Sequence, residues 1–344
     1  MMKNWRVLEN IKINTNSYFA DEIKEFLQNG TLSESDLISC GIPPVVIETL
    51  NDNNLYYREP YSDFDRSESV IEGYTEVYFW GVPGSGKTCA LAAILSMAEK
   101  LGYLNIANGL GYDYMTWLKT IFAEKNALLP VLPPPTCIDV IRYLPFKIKK
   151  DNERNYRLIT FIEPNGEVFQ CFQKTGLNMP SQFHVDTFNL LQRFLNSSNR
   201  KIHFFFIDYG DENKMNYMGL TQSDYLLAAS TFFESNQVFK KNTDAIYVVL
   251  TKSDLMPCSE NERVAKAKEY LKDNYVSFIN ALKDSCKKHS INSGRLTVEL
   301  FSLGKVYFNQ ICDFDGTTAE NIINILLDRV PTSKNSILDF FKLH

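Results

Sequence analysis

Glu76-Val-Tyr-Phe-Trp80-Gly81-Val-Pro-Gly-Ser-Gly86-Lys87-Thr88-Cys-Ala-Leu-Ala runs from an apolar, β-prone segment through a glycine-rich loop into an alanine-rich segment. The first part has the composition of a buried strand, and the last has the high helix propensity of Ala and Leu. Between them, Gly81 to Thr88 fits G-x-x-x-x-G-K-[ST], in the strand–loop–helix setting that gives the pattern its meaning. Gly81, Gly84 and Gly86, with Ser85, let backbone N–H groups converge on phosphate oxygens where a Cβ would obstruct. The helix starting near Lys87 adds its positive end. In such a loop Lys87 reaches the β- and γ-phosphates and the Thr88 hydroxyl ligates Mg²⁺.

Outward from this loop, apolar runs and helical patterns alternate. The runs are Glu76–Trp80, Ile138–Ile148, Tyr156–Ile162, Ile202–Ile207, Ala245–Leu250 and Leu296–Phe301. The helical patterns between and after them cover Lys87–Leu101, Val185–Asn196, Gln222–Phe239, Glu262–His289 and Ala319–Val330. This alternation predicts an α/β, three-layer P-loop domain whose sheet is mostly parallel. Ile138–Ile148 and Tyr156–Ile162 are joined by a short polar turn at Lys149–Arg154, which predicts one antiparallel hairpin in that sheet.

Before Tyr74 the texture differs. Ser17–Gln28, Thr31–Ser39 and Val45–Leu50 read as short helices, with Gly30, Gly41 and the Pro43-Pro44 pair marking their limits. The expected organisation is a helical N-terminal module at 1–50, a polar strap at 51–73, and a nucleotide-binding domain at 74–333. That domain carries an insertion at about 102–136, with its own helix near Met115–Glu124, and a tail follows at 334–344. The N-terminal helices are expected to lie on the nucleotide domain and extend its core, with recruitment of a protein partner as the alternative.

Composition narrows the class. The chain of 344 residues has 36 basic and 41 acidic side chains, a net charge of −5. That balance disfavours a general nucleic-acid binder, which needs a basic face. The 7 cysteines are scattered, with no C-x-x-C pair, which argues against a zinc site or disulfide framework and for a reducing compartment. The N-terminus lacks the apolar core of a signal peptide, and no stretch approaches the roughly 18 apolar residues of a membrane span. A cytoplasmic protein with no membrane insertion is the expectation.

Two further loops bear on the base. Thr251-Lys252-Ser253-Asp254 follows the strand Ala245–Leu250, at the carboxyl end where ligands sit in open α/β sheets. The Asp254 carboxylate can accept two hydrogen bonds from guanine's ring N–H and exocyclic amine, a pair that adenine does not offer. The Lys252 stem can lie along the purine plane. The plainer alternative is that Ser253 or Asp254 only starts a turn. Phe301-Ser302-Leu303-Gly304-Lys305 follows the last strand and can present backbone N–H groups to guanine O6; taken alone, Ser-Leu-Gly is a strand-ending turn.

With these residues in view, the chain resembles the P-loop GTPases of the Ras-like and translation-factor type. GVPGSGKT matches their phosphate loop, TKSD their guanine motif [NT]-K-x-D, and SLGK loosely their last base-binding loop. A weaker likeness is to bacterial GTPase-like proteins of conflict systems. The resemblance covers about 74–330 and implies a Mg²⁺-dependent GTP/GDP switch that answers to a protein partner or regulator. It also implies an Asp-x-x-Gly motif after the hairpin, where this chain has Glu163-Pro-Asn-Gly166-Glu167. Gly166 would then face the γ-phosphate, Glu163 would hold Mg²⁺ through water, and Glu167 would stand where a water-orienting Gln is common. Glu163 is one methylene too long for that family role and Glu167 is no glutamine, so slow hydrolysis is expected.

The resemblance further implies a metal-ligating Thr before the hairpin, and Thr136 in Leu132-Pro-Pro-Pro-Thr136 is the candidate. A rival for the metal is Asp208, which closes Ile202–Ile207 as an aspartate closes the corresponding ATPase strand. An ATPase using Asp208 therefore stays open as the second reading, and a non-catalytic nucleotide-binding module as the third. Arg142, Arg154 and Arg157 are expected on the solvated surface of the hairpin.

Overall fold

A computed structural model describes residues 2–52, 70–123, 128–133, 141–164, 166, 168–173, 182–215 and 219–333 of the chain. Four helices open it: α1 (Met2–Ile13), α2 (Ala20–Gln28), α3 (Glu34–Ser39) and α4 (Pro44–Asn51). The last three match the expected short helices. The first was not foreseen, because its apolar residues Met2, Trp5, Val7, Leu8, Ile11 and Ile13 spread around the helix and form no single stripe. Ser33 caps α3 by accepting the Asp36 N–H at 3.2 Å, while Asp36 accepts the Ser33 N–H at 2.9 Å.

The rest of the chain runs β1 (Thr75–Trp80), α5 (Lys87–Lys100), β2 (Leu104–Asn105), α6 (Tyr112–Ile121), β3 (Ile141–Ile148) and β4 (Arg157–Pro164). Then follow α7 (Val168–Gln173), α8 (Gln182–Leu195), β5 (Lys201–Asp208), α9 (Gln222–Ser235), β6 (Thr243–Thr251) and α10 (Glu260–Asn274). The last elements are α11 (Val276–Lys288), β7 (Thr297–Leu300), β8 (Gly304–Tyr307), β9 (Ile311–Phe314) and α12 (Thr317–Arg329).

Among the described residues the sheet has seven strands in the order β2-β3-β4-β1-β5-β6-β7. β1 pairs in parallel with both β4 and β5, β5 with β6, and β6 with β7. β3 and β4 form the expected antiparallel hairpin, in a register that sets Arg142 opposite Glu163. Every residue of β1 is buried, as are those of β5, so both sheet faces are covered. Val77, Phe79, Phe204 and Phe206 face α5, α6 and α12. Tyr78, Trp80, Phe205 and Ile207 face α7, α8, α9 and α11. The Phe204–Phe206 run is thus a core strand, its successive rings shared between the two layers.

The long helical pattern Glu262–His289 is two helices. Tyr275 breaks it at φ −132°, ψ 32°, with its ring 1% exposed and its hydroxyl accepting from Gln222 Nε2 at 2.8 Å. Sequence periodicity runs through this point because the break is made by a buried side chain, not by Gly or Pro. The hairpin β8–β9 was also unforeseen; each strand is four residues long, too short to show alternation.

That hairpin carries the N-terminal helices. Ile11, Ile23, Leu37, Val46 and Leu50 form a core with Tyr307, Phe308, Ile311 and Val131. At the hairpin turn Asn309 adopts the left-handed conformation, and its side chain donates to Asn16 O at 2.8 Å and Tyr18 O at 3.1 Å. The helices therefore extend the core of the larger body, as expected. Among the described residues, no helix is long and apolar enough to cross a membrane, and Cys40, Cys89, Cys258, Cys286 and Cys312 are free thiols.

Candidate functional site

The carboxyl ends of β1, β4, β5 and β6 converge on one edge of the sheet. There the loop Gly81–Gly86 leaves β1 and enters α5 with Gly86 at φ 84°, ψ 11° as its N-cap. Gly81 has no room for a side chain: a Cβ would lie 2.4 Å from Ser85 Oγ and 2.8 Å from Phe206 O. Gly84, at φ 80°, turns the loop where an L side chain would be strained. Ser85 Oγ, in a residue 1% exposed, has no hydrogen-bond partner among the described residues. A buried polar group left unmatched inside a phosphate-type loop marks a place where a ligand oxygen belongs.

This is a three-layer α/β fold of the P-loop type. Lys87 starts α5 and is 7% exposed; its Nζ donates to Gly81 O at 2.7 Å and Val82 O at 3.0 Å, folded over the loop that a phosphate would fill. Burial pushes its ammonium down to about 8, Glu163 opposes that shift, and Arg142 adds to it.

Thr88 and the two rival carboxylates are placed unambiguously. Thr88 Oγ1 donates to Glu163 Oε1 at 2.6 Å. Asp208 stands at the end of β5, on the other side of β1, where its Oδ2 meets Lys252 Nζ at 2.6 Å. Asp208 Oδ1 is buried with no hydrogen-bond partner among the described residues, and burial raises the carboxyl to about 6 although Lys252 lowers it. Of the two acidic residues considered for the metal, the one beside the Thr88 hydroxyl is Glu163.

Gly166 follows β4 and lies against the phosphate loop. A Cβ here would fall 2.2 Å from Pro83 N and 2.6 Å from Val82 C, so only glycine lets the two segments touch. Thr136, Glu167, Asn165 and the Pro134-Pro135 pair lie outside the described residues.

The loops after β6 and β7 also meet. Thr251 ends β6 with its side chain against Gly86, where an added Cβ would be 3.7 Å from Thr251 Cγ2. Lys252 holds φ 52°, ψ 34°, an uncommon conformation for a side-chain-bearing residue and one that recurs at functional sites. Asp254 is exposed, and its Oδ1 accepts from Ser302 Oγ at 2.8 Å. Ser302 in turn accepts the Gly304 N–H at 3.1 Å, and the Leu303 carbonyl receives the Asp315 N–H at 2.8 Å. The loop after β7 is thereby fixed next to Asp254.

Arg142 corrects its surface assignment. It is 2% exposed, its Nη1 is 3.1 Å from Glu163 Oε2, and its Cζ lies 4.1 Å from the centre of the Tyr114 ring. Sequence reading missed it because nothing local to residue 142 reveals its cross-strand partner. Arg154 is exposed as expected, while Arg157 is half-buried and donates to Leu327 O at 2.6 Å.

No protein-family model matches the chain, and no curated protein matches its sequence. Solved structures do overlap with it. Toc33 from Arabidopsis thaliana, in a dimerization-deficient form, overlaps at TM-score 0.35 and 12% identity, over 75% of this chain and 84% of that one. Nucleolar GTP-binding protein 1 of Plasmodium falciparum does so at TM-score 0.28 and 13% identity, over 76% and 94%. The signal recognition particle receptor SRb-GTP/SRX complex from Chaetomium thermophilum does so at TM-score 0.30 and 14% identity, over 69% and 94%. At these scores the fold assignment rests on strand order and loop geometry. Both agree with what the resemblance to P-loop GTPases implied for the sheet and its hairpin.

Proposed function

We propose that the protein is a guanine-nucleotide switch that binds Mg·GTP and hydrolyses it slowly. The observation that carries this reading is the contact of Asp254 with Ser302 on one sheet edge with the phosphate loop. The carboxylate for the guanine N–H pair and the loop for guanine O6 then sit side by side. A carboxylate placed for two guanine donors would be poorly satisfied by adenine, which is the basis of discrimination.

Within this reading the loop Gly81–Gly86 and Lys87 hold the β- and γ-phosphates. Binding would draw Lys87 away from the carbonyls of Gly81 and Val82 and onto phosphate oxygen, which satisfies its charge better than neutral acceptors. The donor set also suits Mg²⁺: a hydroxyl and a carboxylate, both hard oxygen ligands, stand 2.6 Å apart beside Lys87. Thr88 would ligate the ion and Glu163 would hold it through water, with Thr136 as a further ligand. When bound, Mg²⁺ neutralises the charge of the β- and γ-phosphates. Gly166, pressed on Val82 and Pro83, would meet the γ-phosphate through its N–H. Loss of that phosphate would release the segment around Gly166 and Thr136, the order–disorder change of a switch.

Slow hydrolysis would follow from Glu167 where a water-orienting Gln would stand. The contacts of Glu163 with Thr88 and of Asp208 with Lys252 support this reading over an ATPase that uses Asp208. Calorimetric titration of the purified protein with Mg·GTP and Mg·ATP tests the proposal. GTP binding with ATP weaker by at least about 100-fold is expected, and Lys87→Ala should abolish it. Preferential ATP binding would overturn the reading. Tight GTP binding with no turnover above buffer would reduce it to a binding module.

A further inference from the structure

Glu163 is held from two sides. Its Oε1 takes the Thr88 hydroxyl at 2.6 Å, and its Oε2 takes Arg142 Nη1 at 3.1 Å, with both Arg142 and Glu163 side chains 1% exposed. The register of β3 on β4 makes the two residues direct cross-strand neighbours. Lys87, the other buried cation of the site, gives its hydrogen bonds to backbone carbonyls instead. The cation that fixes this carboxylate is therefore Arg142.

Arg142 is itself fixed by the insertion. Its guanidinium carbon lies 4.1 Å from the centre of the Tyr114 ring, cation–π distance, and Tyr114 is 1% exposed on α6. That helix is docked at both ends. At its start, Gly111 is so close to β3 that a Cβ would lie 2.8 Å from Leu144 Cδ2. Near its end, Ser96 of α5 donates to Lys119 O at 2.9 Å. An unbroken series of contacts thus runs from the insertion helix through Tyr114, Arg142 and Glu163 to Thr88, the first turn of the phosphate-loop helix.

Resting on the nucleotide-switch reading above, we infer that Arg142 is a positioning residue for the Mg²⁺ site. Clamped on the Tyr114 ring, it holds the Glu163 carboxylate against Thr88 and thereby makes metal-assisted nucleotide binding depend on the docked α6 insertion. A glutamate has one more rotatable bond than aspartate, and a fixed arginine fork removes that freedom. The long carboxylate and the buried arginine are then one device, with Glu163 spanning a gap that aspartate could not span. Residues behind a metal site that orient its ligands change metal affinity by about 10- to 100-fold when removed.

The test is the Mg²⁺ concentration that half-saturates binding of a fluorescent GTP analogue, measured beside its affinity in EDTA and the melting temperature. Arg142→Gln should raise the half-saturating Mg²⁺ by about 10-fold or more and leave affinity in EDTA nearly unchanged. Arg142→Lys keeps the charge but neither forks nor stacks well, and should shift in the same direction by less. Tyr114→Leu should do likewise, with Tyr114→Phe close to wild type. Glu163→Asp, which restores the residue typical of Ras-like GTPases, should also raise the Mg²⁺ requirement. A folded Arg142→Gln protein with wild-type Mg²⁺ dependence overturns the inference, as does a lowered requirement in Glu163→Asp. Should Arg142→Gln fail to fold, wild-type Mg²⁺ dependence in both Arg142→Lys and Tyr114→Leu has the same force. Equal weakening with Mg²⁺ and with EDTA would mark a merely structural role and also overturn it. Absence of GTP binding by the wild-type protein would instead remove the switch reading itself.

Discussion

Asp254 and Ser302 lie 48 residues apart in the chain and share a 2.8 Å hydrogen bond, the hydroxyl donating to Oδ1. The bond ties the loop after β6 to the loop after β7 and aims a carboxylate along the sheet edge. Ser302→Ala removes it, and with it the acceptor for the Gly304 N–H. GTP affinity should fall about 2- to 10-fold, the worth of one net hydrogen bond, and the GTP-to-ATP ratio should fall too. In Asp254→Asn an amide N–H₂ replaces one acceptor, so a base with a carbonyl at the 2-position should gain at guanine's expense. Titration of each variant with GTP, XTP and ATP checks both, and an unchanged GTP preference in Asp254→Asn would contradict the base assignment.

Gly166→Ala should cost both stability and binding. The new methyl group would lie 2.2 Å from Pro83 N, and it meets backbone, which cannot swing aside. Overpacking of this kind costs roughly 1–3 kcal/mol, and relief by moving the phosphate loop would weaken Mg·GTP binding. Thermal melting and calorimetry on the same sample distinguish this from a tolerant contact, in which neither value would move.

Asp208→Asn should stabilise the protein, in a pH-dependent way. Burial raises the Asp208 carboxyl to about 6 from 3.8, partly offset by Lys252. The groups that face it are Lys252, Asp211, Lys214 and Tyr275, with Gln222 bonded to its backbone. A carboxyl raised in the fold contributes stability that is fully present below its ordinary value and is lost as pH rises through about 6. Asparagine has no charge to desolvate, so the variant's advantage should be absent near pH 4 and reach roughly 1–3 kcal/mol above pH 6. Melting curves at pH 4 and pH 7.5 test the sign; an equal difference at both values would refute it.

Asn309→Ala should loosen the N-terminal helices. The side chain donates to two carbonyls of the segment between α1 and α2, and the residue sits at φ 59°, where Asn is tolerated and Ala is strained. Together these losses amount to roughly 2–4 kcal/mol. Proteolysis of the N-terminal segment, followed with time, should become faster than in the wild type.

Much of the fold was legible because its signals are local. The phosphate loop needs eight consecutive residues, and TKSD and SLG need four and three; each was found on the strand end expected for it. Alternation of apolar runs with helical patterns gave the layers, since a strand covered on both faces must be apolar throughout, as β5 is. Less was legible where contact outranks pattern. Tyr275 interrupts a helical period because its ring is buried, and β8–β9 packs Tyr307, Phe308 and Ile311 against the N-terminal helices.

The sequence by itself determined that a G-x-x-x-x-G-K-T loop and the Thr251–Asp254 loop stand on strand ends of one α/β scaffold. It left open which acidic residue meets Thr88, because β4 and β5 both flank β1 and each ends in a carboxylate or next to one. Only the tertiary structure decided it, by pairing Asp208 with Lys252 and leaving Glu163 for Thr88 and Arg142. Strand register and side-chain reach act across 21 residues between Arg142 and Glu163 and 75 between Thr88 and Glu163. No window of local sequence spans such separations, and the energy of a buried ion pair depends on geometry that only packing supplies.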